Sequence, residues 1–352
     1  MTRVLIADDL ASVRHLLKQI IGSAGDMTVV GEAVNGMDAI QKAEALQPDV
    51  IVMDVNMPIL TGIDATGIIM AELPTPIVIV SATTEEDVNL SMRALSAGAL
   101  TVLKTPAGPA AATHSEEALQ LIETVRAMAV VKVVRRRAAS PVGRPIGNDL
   151  PKLGKRNNEP PEIIGIAAST GGPPVLERIL SNLPELFPVP ILITQHIASG
   201  FTAGLVDWLS NNSYLEITIP EDGEPMLPGS VYVAPDDLHL AVDDCGAIRL
   251  VDAPPVGRFR PSANYLFDSL AENYGSAAMG IVLTGMGSDG VEGLRRINEA
   301  GGIVIAQDEP SCAVYGMPAV AREAGVVDQE LPPDGIVSEL RKRFAVEASL
   351  VP

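Results

Sequence analysis

Short apolar runs alternate with amphipathic stretches along the first 130 residues. Residues 3–7, 28–33, 50–54, 76–81 and 100–103 are apolar runs of strand length, and the segments between them carry apolar positions at helical spacing. A last amphipathic stretch, 115–134, predicts a closing helix. Five strand–helix units of this size predict a doubly wound parallel sheet. From residue 131 to 161 the hydrophobic period fails and Arg, Pro, Gly and Asn dominate, which predicts an extended connector at 131–160. Strand-then-helix patterns resume over 161–346. The run Ile163–Ala168 leads into Ser169-Thr-Gly-Gly-Pro173, residues 190–194 lead into Gln195-His196, and residues 279–283 lead into Thr284-Gly-Met-Gly-Ser-Asp-Gly290. Two short strands about a turn are expected around residues 232–239. The pattern as a whole predicts an α/β chain with two doubly wound parallel-sheet domains, 1–130 and 161–346, the second carrying a β-hairpin insertion.

Composition narrows this picture. A chain of 352 residues, 47% of them apolar, is long enough for two sizeable cores. No repeat of solenoid period is present. The first apolar run is short and ends in Asp8-Asp9, so no signal peptide is expected, and no run has the length of a membrane span. Cys245 and Cys312 are the only cysteines and lie far apart, which predicts reduced thiols in a cytoplasmic protein. The net charge of −19 is unevenly spread. Residues 1–130 hold 7 Lys/Arg against 16 Asp/Glu, residues 131–158 hold 8 against 1, and residues 159–352 hold 10 against 27. Two acidic bodies flank a basic connector, which is read as a solvated linker lying against its own acidic domains. Nucleic-acid binding is not expected of either body.

In the first domain, polar residues collect where strands end. Asp8 and Asp9 follow the first strand, Asp54 ends the third, Ser81 the fourth and Lys104 the fifth. In a doubly wound sheet these ends share one edge. Three clustered carboxylates repel one another, and a hard divalent cation relieves that. A lysine and a hydroxyl beside a cation-bound carboxylate suit a phosphoryl group carried on that carboxylate. With these five positions in place, residues 1–130 resemble a response-regulator receiver domain, whose fold is flavodoxin-like. The resemblance implies Asp54 as phospho-acceptor and Ser81 and Lys104 as its supports. It implies Mg²⁺ held by Asp8, Asp9, Asp54 and the main chain of Asn56, and a sensor histidine kinase as phosphodonor. Two departures stand out. Lys104-Thr-Pro106 replaces the family's Lys-Pro, and Val102 stands where an aromatic switch residue is usual, so the signal is expected to pass through Ser81.

In the second domain Ser169 ends a strand beside two glycines, His196 ends the next strand unit, and Asp289 lies in the loop after a third. Sequential parallel strands usually neighbour each other, so nucleophile, base and acid can meet at one sheet edge. A Ser or Thr that merely caps the following helix is the bland alternative at residue 169. Gly285-Met-Gly-Ser-Asp-Gly290 also matches a dinucleotide fingerprint, with Asp308 at about the expected distance. Against it, the motif comes late in the domain, and Asp289 puts a carboxylate where a pyrophosphate would sit. His239 is expected as a half-buried strand histidine. Arg260 is equally a clamp at the rim of the site or a locally paired residue.

Residues 163–325 resemble the catalytic domain of the protein-glutamate methylesterases of bacterial chemotaxis, a Rossmann-like fold. The resemblance rests on Ala168-Ser-Thr-Gly-Gly-Pro173, Gln195-His196 with Gly200-Phe-Thr202, Arg260-Pro-Ser262, Leu283-Thr-Gly-Met-Gly-Ser-Asp-Gly290 and Ala306-Gln-Asp-Glu-Pro-Ser-Cys-Ala-Val-Tyr-Gly-Met-Pro318. It implies Ser169 as nucleophile, His196 as general base, Asp289 as its orienter, and Thr170 and Met286 as shapers of the oxyanion site. The implied substrates are glutamate methyl esters on chemoreceptors, with glutamine deamidation as a second activity and no cofactor in this domain. The implied setting is cytoplasmic, without membrane insertion, and the receiver is expected to inhibit until Asp54 is phosphorylated. Ile197-Ala-Ser199 replaces the family's Met-Pro-Pro, and Phe259 stands where a histidine is common. A non-enzymatic adaptor with a receiver is the alternative function.

Overall fold

The computed structural model describes residues 1–82, 84–131, 133 and 160–346. The chain divides into two compact units, Met1–Arg144 and Pro145–Pro352. The basic connector expected at 131–160 lies outside the described residues apart from Val131, Val133 and Pro160.

The first unit begins with β1 (Thr2–Ala7), α1 (Ala11–Ser23), β2 (Met27–Ala33) and α2 (Gly36–Leu46). It continues with β3 (Val50–Met53), α3 (Gly62–Glu72), β4 (Ile77–Ser81), α4 (Glu85–Ala97), β5 (Thr101–Lys104) and α5 (His114–Met128). The strands form one parallel sheet in the order β2-β1-β3-β4-β5. β3 and β4 are apolar at nearly every position because helices cover both faces. Polar side chains start three of the helices. Asn35, Thr61 and Thr84 each accept a hydrogen bond from the backbone N–H three residues on. The closing helix is shorter than its apolar pattern predicts. It stops at Met128, and Val130, just past its end, is exposed.

The second unit runs β6 (Ile163–Ala168), α6 (Gly172–Leu180), β7 (Ile191–Gln195), α7 (Thr202–Asn211), β8 (Glu216–Thr218) and β9 (Ser230–Val233). There follow β10 (His239–Val242), β11 (Ile248–Val251), α8 (Ala263–Tyr274), β12 (Ala278–Val282) and α9 (Val291–Glu299). The unit ends with β13 (Ile303–Gln307), α10 (Met317–Glu323), β14 (Gln329–Leu331) and α11 (Pro333–Arg343). Seven strands form a parallel sheet in the order β14-β13-β12-β6-β7-β9-β8. β6 therefore lies at the centre, between β12 and β7. The inserted hairpin is β10–β11, whose strands pair antiparallel. It lies later than the hairpin expected at 232–239, because Tyr232 belongs to β9 and pairs parallel with β7. Among the described residues no helix is long and apolar enough to cross a membrane.

The core beneath the sheet is built on α8 and α9. Phe267 and Leu270 of α8 and Leu294 and Ile297 of α9 are fully buried, each such side chain contributing about 2 kcal/mol. The two helices cross where α9 has Gly293. A Cβ there would come within 2.5 Å of Phe267 Cβ and 2.9 Å of the Asn264 carbonyl oxygen. The Gly293 N–H also donates to Asn264 Oδ1 at 3.0 Å. Gly293→Ala should therefore push the helices apart and destabilise the unit by roughly 1–3 kcal/mol. Differential scanning calorimetry of the full chain should show a lower melting temperature, and an unchanged one would contradict this packing.

Candidate active site

Strand register places the main players. Ala168 of β6 is the partner of Gln195 of β7, so Ser169 and His196 leave adjacent strands side by side. The His196 N–H donates to the Ala168 carbonyl at 2.8 Å. On the other side of β6, the Ser169 N–H donates to the Thr284 carbonyl at 3.0 Å, which sets Ser169 against the loop after β12. That loop approaches closely because residue 285 is glycine. A Cβ on Gly285 would lie 2.7 Å from Ser169 Cβ and 2.5 Å from Met317 Sδ. Ser169 is partly exposed and does not cap α6, whose cap position is Gly171 and which carries Pro173 in its first turn.

His196 and Asp289 are joined directly at the site. His196 Nε2 lies 2.9 Å from Asp289 Oδ2. The Asp289 side chain is 3% exposed and that of His196 11%. Three further donors reach the same carboxylate. They are Ser262 Oγ at 2.7 Å, the Ala263 N–H at 2.7 Å and the Asn264 N–H at 3.2 Å. Ala263 opens α8, so Asp289 also occupies the positive end of that helix. Burial alone would raise the Asp289 pKa. The His196 hydrogen bond and charge, with Ser262 and Ala263, outweigh it and hold the carboxyl below the usual range. An ionised carboxylate fixes the imidazole tautomer, because Nε2 must carry the proton it donates. His196 Nδ1 is then the basic nitrogen, and it is buried with no partner. No hydrogen bond joins Ser169 Oγ to His196 among the described residues. Such bonds are often loose without substrate.

Thr170 is buried and Met286 exposed, and among the described residues neither backbone N–H donates a hydrogen bond. The Phe259 ring stacks on His196, centroids 4.1 Å apart and planes 6° apart.

In the first unit, Asp8 is buried and its N–H donates to Ala33, while the Asp54 N–H donates to Ala7 beside it. Asp9 is exposed, and the oxygens of Asp8, Asp9 and Asp54 do not all lie within 4.8 Å of one another. Burial, with the charges of Asp54 and Asp9, pushes the Asp8 carboxyl up to about 7. Burial, with the charges of Asp9 and Asp87, pushes Asp54 up to about 6. The Leu10 and Asn56 N–H groups that reach Asp8 and Asp54 do not offset this. Carboxylates of this kind, beside an Asn56 carbonyl that accepts no hydrogen bond among the described residues, are an oxygen donor set that fits Mg²⁺. Ser81 is buried with its Oγ unpartnered, and it is the register partner of Lys104. Lys104 is half-exposed and lies 3.7 Å from Glu117, and no ion pair joins it to Asp54 among the described residues. Val102 is buried.

Comparison with known proteins decides what this arrangement belongs to. The family model described as CheB methylesterase matches residues 164–340, and that of the response regulator receiver domain matches residues 4–122. A protein-glutamate methylesterase/protein-glutamine glutaminase of Myxococcus xanthus is 46% identical over 345 residues, 97% of both chains. The chain belongs to the CheB methylesterase family. Another methylesterase/glutaminase, from Anaeromyxobacter dehalogenans, is 46% identical over 97% of this chain and 98% of its own. The crystal structure of the Thermotoga maritima CheB methylesterase catalytic domain superposes with a TM-score of 0.50 at 39% identity. It covers 52% of this chain and 98% of that domain.

Several sequence expectations at the methylesterase site take a different form in the structure. His239 is fully buried rather than half-buried. Its Nε2–H donates to the Pro254 carbonyl at 3.1 Å, its Nδ1 accepts from the Ser262 N–H at 3.2 Å, and it stacks on Tyr265. Arg260 is the locally paired residue, on Asp252 at 3.0 Å and the Ala253 carbonyl at 3.2 Å. In the 285–290 loop Gly285 serves the Ser169 approach and Gly290 lies against Phe267 and Ala263 of α8, while the buried Asp289 carboxylate occupies the place where a pyrophosphate would sit. Asp308 is held by Ser311. Two residues of the methylesterase site carried no assigned role in the sequence. Ser262 donates to Asp289, and a Ser just ahead of a helix start was its only signal. Gln195 ties both strand ends together, its Nε2 donating to the Ser169 carbonyl at 2.9 Å and the His196 carbonyl at 2.8 Å.

Asp289 gives the methylesterase unit a pH dependence. A depressed carboxyl contributes stability that is fully present above its unfolded value and is lost as pH falls through the lower folded value. Ser262→Ala removes one donor, so the folded value rises and that stability is lost earlier. Circular dichroism against pH should show acid unfolding beginning at higher pH, with about 1–2 kcal/mol less stability at neutral pH. An unmoved acid midpoint would contradict the assigned hydrogen bond.

Proposed function

We propose that this protein hydrolyses methyl esters of glutamate side chains on chemoreceptors and deamidates receptor glutamines, under the control of phosphorylation at Asp54. The observation that carries this reading is the imidazole of His196, locked by buried Asp289 at the strand end next to Ser169. A free basic nitrogen beside a partly exposed serine is the arrangement of acyl transfer.

In the proposed mechanism His196 Nδ1 takes the Ser169 hydroxyl proton as Oγ attacks the side-chain carbonyl. Negative charge develops on the carbonyl oxygen, and the unengaged N–H groups of Thr170 and Met286 are the donors suited to it. Asp289 stabilises the imidazolium without taking its proton. The imidazolium then protonates the leaving group, methanol from an ester or ammonia from an amide. Water, deprotonated by the same nitrogen, attacks the acyl-enzyme and releases glutamate and free Ser169. Side chains and backbone supply every group these steps need, so no cofactor is assigned to this domain.

In the receiver, Asp8, Asp9, Asp54 and the Asn56 carbonyl would hold Mg²⁺, which supplies positive charge to offset the phosphoryl oxygens. Asp54 is the acceptor, Ser81 and Lys104 are the groups at its edge, and a sensor histidine kinase is the donor. The setting assigned to these exchanges is the cytoplasm.

Ser169→Ala should abolish methanol release from methylated receptor, and His196→Ala should be nearly as damaging, each by roughly 10⁴-fold or more. Asp289→Asn should cost about 10³–10⁴-fold, because an amide donating to Nε2 selects the wrong tautomer. Wild-type release by Ser169→Ala would remove the nucleophile assignment.

Asp54→Asn should leave basal hydrolysis intact while abolishing both phosphoryl incorporation from a small phosphodonor and the accompanying rise in hydrolysis. Phosphoryl incorporation by Asp54→Asn at the wild-type level would move the acceptor elsewhere.

A further inference from the structure

We propose that Phe259 is a positioning residue for this hydrolysis, whose ring face stabilises the His196 imidazolium formed when Ser169 gives up its proton. The proposal rests on the reading of His196 as general base. Its geometric basis is a parallel stack, with ring centroids 4.1 Å apart and planes 6° apart. Phe259 closes a tight turn. The Val256 N–H donates to the Phe259 carbonyl at 3.1 Å, and the Phe259 N–H donates back at 3.2 Å. Arg260 anchors the turn to Asp252 and Ala253. Pro261 follows, and then Ser262 and Ala263, both of which donate to Asp289. One short segment therefore delivers an aromatic face to the imidazole and two hydrogen bonds to its carboxylate.

Charge decides what the stack does. Against a neutral imidazole, the Phe259 ring offers dispersion and a fixed plane. Against an imidazolium it adds the attraction of a cation for the negative face of an aromatic ring. That added attraction exists only after proton transfer, so it favours the transition state over the ground state. The stack also blocks rotation of the imidazole, which keeps Nε2 on Asp289 and leaves Nδ1 as the free nitrogen. The contact is placed to work in this way because both rings are largely shielded from water. Asp289 is the charged group hydrogen-bonded to the imidazole. Arg258 and Arg260 flank Phe259 on its turn. Asp236, on the loop after β9, holds the Gly200 N–H and the Thr202 hydroxyl of the segment that follows His196. A change at Phe259 leaves all of these charges in place.

Leucine separates the two contributions, because it covers the same face with similar bulk and has no aromatic quadrupole. The experiment uses the full chain with Phe259→Leu and Phe259→Trp. The His196 titration is followed by NMR, and kcat and KM for methylated receptor are measured across pH. In Phe259→Leu, the His196 pKa and the acid limb of kcat/KM should both fall by about half to one pH unit. The value of kcat should fall roughly 3- to 10-fold with KM unchanged, and Phe259→Trp should restore both. A Phe259→Leu protein whose His196 titrates as in the wild type overturns the proposal, even if activity falls, since lost packing alone lowers activity without moving the titration. A lowered titration in Phe259→Leu together with normal turnover by His196→Ala would instead overturn the base assignment, and with it the catalytic role of the stack.

Discussion

One buried negative charge organises the catalytic unit. The Asp289 carboxylate lies in a region where an unpaired charge costs several kcal/mol, and it is tolerated because a helix N-terminus, a serine and an imidazole all converge on it. Each of these groups is fixed by meeting the others. α8 begins where it does because Asp289 receives its first N–H groups. The segment ahead of α8 is held from behind by His239, whose Nδ1 takes the Ser262 N–H. His196 has its tautomer chosen by the same charge. The hairpin insertion that carries His239, the helix and the His196 imidazole therefore share one electrostatic centre, and Gly285 beside Ser169 lets that centre sit within reach of the central strand.

Ser169, the proposed nucleophile, is placed by a different means. Its position follows from backbone register at the middle of a parallel sheet, reinforced by the Gln195 side chain bridging the Ser169 and His196 carbonyls. Main-chain placement and charge-driven placement thus meet at the imidazole. In the receiver unit the logic is inverted. There burial and neighbouring carboxylates outweigh the backbone N–H groups that reach Asp8 and Asp54, and the raised pKa values express a demand for positive charge that these donors do not meet.

Much of this was legible in the sequence because the signals were periodic or sat at strand ends. Parallel strands covered on both faces read as apolar runs, and the residues just past them, Ser169, His196, Asp54 and Ser81, follow directly. The hairpin was misplaced because Tyr232 and His239 lie on separate strands: β9 pairs parallel with β7, far back in the sequence, and only β10 begins a hairpin, with β11. Helix α5 was overextended because helical spacing says nothing about whether a surface exists to receive it. The roles of Ser262, Gln195, Phe259 and His239 were not legible, since each depends on a contact formed only by the fold, and no local pattern distinguishes a serine that donates to a distant carboxylate from one that caps its own helix.

The choice of Nε2 for Asp289 carries a mechanical consequence. The nitrogen proposed as base is Nδ1, which is bonded to Cγ, the ring carbon that joins the side chain. It therefore lies closer to the backbone than Nε2 does. The reach from imidazole to serine is then set chiefly by the separation of two neighbouring strands. Such a site behaves as a short-stroke device: it tolerates little change in strand spacing, and it gains positional accuracy from the stiffness of the sheet.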